Sequence, residues 1–191
     1  MVSARVTSVM ARTVRLIVTG VYRGAHLARG CFEDVDTLAL ARQLIEPVPA
    51  NSLFGIAVQA VEPGTATVGL AVTPQAGNVI GALHASGLIA LVDAAGLAAM
   101  ISLATTEAQL DGFSPLGSDA DLTFFAPARG ALRAHCQLDE AALEAMTAYL
   151  SGTADRAALL TLTEITDAAD AVVCTGRFRW RVRRRVPNPV G

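Results

Sequence analysis

The first chemical signal in this sequence is a carboxylate in an oily stretch. Asp93 carries the only formal charge between Val79 and Thr106, and His84 is the only other ionisable side chain there. An ionised carboxylate in a dry helix is costly, and burial alone raises its pKa. Such a group needs either a partner or a task. One reading pairs Asp93 with a backbone amide or with an Arg from another element. The other makes it a general base or nucleophile lining a pocket. A working base must be ionised, which asks helix-start amides and local hydrogen bonds to hold its pKa down.

His84 stands nine residues before Asp93, where a helix should begin. It reads as a helix-start His bonded to backbone, a role compatible with a site. Gly81 and the small Ala85, Ser86 and Gly87 leave the backbone amides around it accessible. A helix N-terminus with free N–H groups stabilises an oxyanion. Ser86 beside His84 suggests a nucleophile, but neighbouring residues entering a helix point in different directions, so that reading is set aside.

These residues need elements to hold them. Residues 80–104 are long and uncharged enough to raise the question of a membrane span. The small residues, the flanking strand patterns and the central carboxylate argue instead for a helix buried on nearly all sides by a wrapping sheet. Before it, residues 53–61 read as a strand, and Pro63-Gly64 fits the centre of a type II turn. Alternation of Ala66, Val68, Leu70 and Val72 completes a hairpin. After the helix, Asp119–Phe125 and Ala131–Leu138 read as strands joined at Pro127-Ala128-Arg129-Gly130. A short helix begins at the acidic residues Asp139, Glu140 and Glu144 and runs through Leu150. A last hairpin spans 158–166 and 171–183, where Phe178, Trp180 and Val182 alternate with Arg177, Arg179, Arg181 and Arg183. The cationic face deters edge-to-edge aggregation, contacts phosphates or, as a third reading, nucleic acid.

The N-terminal residues 1–30 hold five Arg and no acid. They read as an amphipathic helix on the domain, with contact to an anionic membrane surface as the second reading and a processed targeting segment as the third. A second helical pattern, Leu38–Leu40–Leu44–Ile45, ends at Pro47 and Pro49. The expected organisation is an N-terminal helical extension at 1–49, one domain at 50–186 and a flexible tail at 187–191. Composition sets outer limits: 191 residues, 52% apolar and 17% charged with net charge −2 suit a folded domain and not a disordered chain. A pI near 5.9 supplies no global field to gather nucleic acid. Cys31, Cys136 and Cys174 form no CxxC or Cys/His pairing, which argues against metal and disulfide frameworks and fits a reducing, cytoplasmic setting.

The run Asn78-x-x-Gly81-x-x-His84-Ala85-Ser86-Gly87, followed by Asp93-x-Ala95, resembles the signature of hotdog-fold thioesterases of the phenylacetate-pathway (PaaI) type. In that family an Asn, a His-Gly-Gly and an Asp stand at the same intervals. Phe125-Ala126-Pro127-Ala128-Arg129 is similar to its post-helix strand and turn. The acidic helix before the last hairpin resembles a little-characterised branch of the superfamily. The likeness covers roughly residues 50–185. It implies an α+β hotdog fold, an antiparallel sheet wrapped around a long central helix.

By the same resemblance, Asp93 activates water against an acyl-CoA or related acyl thioester, or attacks it directly. The Ala85 amide binds the oxyanion, Asn78 orients the carbonyl or the water, and His84 shapes the loop. Gly81, Ser86, Gly87, Ser118 and Arg129 line the substrate. No metal and no cofactor are expected beyond the coenzyme A of the substrate. The site is shared across the interface of a homodimer or homotetramer. Two departures stand out: His-Gly-Gly has become His84-Ala85-Ser86, and the strand Ser or Thr that helps hold water aligns with Gly117. These favour, as the alternative, a non-catalytic acyl-CoA-binding or assembly module. The motifs of hotdog dehydratases and hydratases are absent from the sequence.

Overall fold

A computed structural model describes residues 35–185 of the chain. In order these form helix α1 (Thr37–Ile45), helix α2 (Pro49–Phe54), strands β1 (Ala57–Glu62) and β2 (Thr65–Ala71), and helix α3 (Ala85–Ile101). Strands β3 (Phe113–Phe124) and β4 (Ala131–Gln137), helix α4 (Glu140–Leu150) and strands β5 (Arg156–Thr166) and β6 (Val172–Arg184) follow. One six-stranded sheet runs β1-β2-β4-β5-β6-β3, with every neighbouring pair antiparallel. Helix α3 touches all six strands, so the sheet curls around it as a hotdog fold.

The sequence explains why this helix sits inside. Twelve of its seventeen residues are buried, and most of them are Ala, Gly or Leu. Small residues let the sheet approach: a Cβ on Gly176 of β6 would lie 2.5 Å from Val92, and one on Gly96 would lie 2.9 Å from the Thr161 hydroxyl. Trp180 fills the space beside Gly96 and donates its Nε1–H to Thr161 at 3.0 Å. Among the described residues no helix is long and apolar enough to cross a membrane.

Two local expectations need correction. Residues 49–54, read in part as strand, form a helix. Pro49 opens it, because the first helical position needs no N–H and Pro presets the backbone angle. Gly55 closes it at φ +67, a left-handed cap. Strand β3 begins at Phe113 rather than Asp119, because Pro115 is tolerated on an edge strand that pairs only with β6. Helix α1 lies within the segment 1–49, and its Leu40, Ala41 and Ile45 belong to the same buried core as α3. The basic segment 1–30 and the tail 187–191 lie outside the described residues.

On the final strand the alternation is as patterned: Phe178, Trp180 and Val182 are buried and the intervening arginines are exposed or nearly so. Asp119 lies 3.9 Å from Arg179, and Asp121 stands in register with Arg177. Cys136 and Cys174 are buried free thiols, both pushed up in pKa, to about 12 and about 11, by desolvation.

Candidate active site

The segment leading into α3 is tied down by its own polar groups. The Asn78 side-chain carbonyl accepts hydrogen bonds from the amides of Ile80 and Ala82, each at 3.1 Å. Gly81, at φ +71, turns the chain back so that its N–H reaches the Asn78 carbonyl at 2.9 Å. The Leu83 amide donates to Ala128, the His84 amide to Ala76, and the Arg129 guanidinium to the Ile80 carbonyl at 2.9 Å. With its carbonyl oxygen consumed twice, Asn78 presents the NH2 end to solvent, a donor and not an acceptor.

His84 caps the helix through its ring. Its Nδ1 accepts from the Ser86 amide at 3.2 Å and lies 2.8 Å from the Ser86 hydroxyl. The two side chains therefore meet, contrary to the expectation that they diverge, because the capping residue folds its ring back over the first turn. The Ala85 amide has no acceptor among the described residues. Ala85 lines a groove of about 390 Å³ with Asn78, Leu83, Leu88, Phe124 and Phe125.

Asp93 is two turns further along α3 and half-buried. Desolvation raises its pKa from 3.8 to about 6. Among the described residues no Arg and no amide is bonded to it, so the paired reading finds no partner among them. The helix-start amides expected to lower its pKa do not reach it. Eight residues of helix put Asp93 about 12 Å along the axis from Ala85. It belongs to a stripe with Ser86, Ile89 and Leu97, the one side of α3 that the sheet leaves uncovered.

The other predicted positions divide. Gly87 is buried, and a Cβ there would lie 2.7 Å from Leu83, so it makes room for packing. Ser118 sits on a bulge of β3 and donates to the Arg179 carbonyl at 3.3 Å. It lines a separate cleft of about 1020 Å³ with Arg156, Arg181 and Arg183, which contains neither Asp93 nor Ala85. Arg129 is exposed and bound to the loop. Beside Gly117, where a strand hydroxyl was sought, the Phe178 ring occupies the place of a Cβ. Among the described residues no cluster of His, Cys, Asp and Glu could hold a metal ion.

The family described as "Domain of unknown function (DUF4442)" matches residues 41–182. The chain belongs to the DUF4442 family. Its matched span begins inside α1, in keeping with the packing of that helix on the core. No curated protein matches this DUF4442 chain in sequence. Solved structures do. The Pseudomonas aeruginosa protein PA5026, a probable thioesterase, is 25% identical over 77% of this chain and 95% of its own, with a TM-score of 0.62. The thioesterase HI1161 from Haemophilus influenzae is 19% identical, covering 84% of this chain and 100% of its own at TM-score 0.60. The PaaI protein of the E. coli phenylacetic acid degradation operon is 19% identical, covering 77% and 94% at TM-score 0.55. The resemblance to hotdog thioesterases read from the Asn78–Asp93 spacing therefore holds for the fold. What spacing did not reveal in the DUF4442 chain is the aromatic wall of the groove. Its only trace in sequence is the Phe124-Phe125 pair at a strand end, where one ring normally faces each way; both rings are exposed.

Proposed function

We propose that this protein hydrolyses an acyl thioester of the acyl-CoA type, at a site completed by a second copy of the chain. The observation that carries the reading is the carboxylate of Asp93, without a bonded partner among the described residues, on the stripe of α3 that the sheet leaves uncovered. It lies about 12 Å along the helix from the Ala85 amide, which has no acceptor among them either. One chain cannot bring both groups to one carbonyl carbon. A twofold copy with its α3 antiparallel can, because each Asp93 then faces the helix start of the other.

Two further features favour such a pairing. Ile89, midway along the stripe, is 43% exposed, and Ala120 on the helix-side face of β3 is also exposed. Beyond Pro115 and the bulge at Ser118, residues 119–124 leave an uninterrupted strand edge open to another strand.

In this reading the acyl carbonyl lies in the groove, its oxygen toward the Ala85 amide and the Asn78 NH2. Asp93 of the second copy takes a proton from water as the water oxygen bonds to the carbonyl carbon. The displaced π pair gathers on the oxyanion. Collapse of that intermediate breaks the C–S bond, and the leaving sulfur takes the proton back from Asp93. No cofactor enters these steps. A carboxyl with pKa about 6 suits the task, ionised at neutral pH yet more basic than an ordinary Asp.

The test is Asp93→Asn assayed by thiol release on short-chain, medium-chain and aryl-CoA esters. Loss of about 10²-fold or more is expected; unchanged turnover in the folded variant overturns the assignment. The packing of Phe178 against Gly117 favours one second reading, an acyl-CoA-binding module without turnover. Tight ester binding with no thiol release across the panel selects it.

A further inference from the structure

A water made nucleophilic by one carboxylate is still free to rotate about that hydrogen bond. Its lone pair is aimed at a carbon only when its second hydrogen is also held. The proposed site has few acceptors for that hydrogen. Asn78 offers a donor there, its carbonyl being taken by Ile80 and Ala82. Gly117 has no side chain and no space for one. Ser118 donates to Arg179 and opens on the other cleft.

Ser86 differs. Because His84 Nδ1 accepts from the Ser86 amide, that nitrogen carries no proton, and the Ser86 hydroxyl hydrogen must point at it. The hydroxyl rotor is thereby locked, with its oxygen lone pairs turned away from His84. The pair is also a poor nucleophile–base couple: moving the hydroxyl proton onto Nδ1 would set it against the Ser86 N–H. Ser86 is exposed on the same stripe as Asp93, seven residues or about 10.5 Å away. Ile89 lies between them, so antiparallel pairing about Ile89 brings Ser86 of one copy to Asp93 of the other.

We infer that Ser86, with its hydroxyl locked by His84, is the second acceptor for the attacking water, and that His84 acts as its positioning residue. The inference rests on the proposed hydrolysis and on the two-copy site. One water hydrogen goes to Asp93 of the second copy and becomes the transferred proton. The other stays on the water oxygen, hydrogen-bonded to Ser86 Oγ, while the lone pair forms the new C–O bond.

The experiment compares Ser86→Ala, Ser86→Thr and Asp93→Asn in the full-length protein, with and without hydroxylamine as a competing nucleophile. Ser86→Ala should lower kcat about 10- to 100-fold with KM within about twofold, and leave the pH at which activity rises unchanged. Hydroxylamine attacks without the water's alignment, so the ratio of aminolysis to hydrolysis should rise about tenfold in Ser86→Ala. Ser86→Thr, which keeps the hydroxyl, should restore most of kcat. If Ser86→Ala hydrolyses at the wild-type rate while Asp93→Asn is inactive, this inference fails and the thioesterase reading stands. Full activity in Asp93→Asn, or no thiol release by the wild type, removes both. An acylated Ser86→Thr or wild-type enzyme seen by mass spectrometry also overturns it, in favour of a covalent route.

Discussion

Replacing Asp93 by Asn should make the protein more stable as it makes it less active. Burial raises the Asp93 pKa from 3.8 to about 6, so the folded state binds its proton more tightly than the unfolded chain does. Between about pH 4 and pH 6 the folded state therefore holds more protons, and raising the pH through this window costs stability. The penalty is absent below about pH 4 and complete above about pH 6. At 1.36 kcal/mol per pH unit it amounts to about 3 kcal/mol. Asn is nearly isosteric and carries no charge to desolvate, so it escapes the penalty. At pH 7 Asp93→Asn should gain about 3 kcal/mol, or about 6–12 °C in Tm for a chain of this size. At pH 4 the two proteins should unfold alike. Thermal and urea unfolding at pH 4, 5, 6 and 7, at one fixed protein concentration, measure this directly. The same carboxyl should set the activity profile, with the rate rising about tenfold per pH unit below 6 and levelling above it. An Asn variant no more stable than the wild type at pH 7, or equally shifted at pH 4, refutes the desolvation argument.

Other variants test the framework around that group. Gly117→Ser places a side chain against the Phe178 ring and should destabilise the fold by about 1–3 kcal/mol in urea unfolding; an unchanged midpoint would show that β3 has room for a hydroxyl. Arg129→Ala removes the bond to the Ile80 carbonyl on an exposed loop, so kcat/KM should fall about three- to tenfold with Tm within about 2 °C. If Arg129 instead holds a substrate phosphate, KM alone rises and the effect shrinks in high salt. Ile89→Arg puts a charge at the centre of the uncovered stripe. Sedimentation should show dissociation with loss of turnover, while far-UV circular dichroism stays that of the folded chain; an active, dissociated variant would rule out a shared site.

Much of the architecture was legible because it follows from local rules. Alternation gave the hairpins, the long run charged only at Asp93 gave the central helix, and Asp139 marked the start of α4, where its side chain caps the Ala142 amide at 2.8 Å. Misreadings fell where local signals conflict. Pro49 both stops one helix and starts another, and Pro115 hides a strand that only its edge position permits. The resemblance carried by the Asn78–Asp93 run singled out Asn78, His84, Ala85 and Asp93 as candidates; the first three lie at the entry to α3 and Asp93 two turns along it.

Roles were less legible than places. That Asn78 spends its carbonyl on its own loop, that Ser86 meets the His84 ring, and that Phe178 fills the space beside Gly117 all depend on chain segments far apart in sequence or on a backbone turn no pattern encodes. What the sequence determined by itself is a buried helix carrying one unexplained acid after a small-residue turn, because periodicity and charge are local properties. The tertiary structure alone decided that this acid has no bonded partner among the described residues and lies on the one side of the helix that the sheet leaves uncovered. Burial is set by how the sheet wraps, and the sheet wraps around every side of α3 but that one.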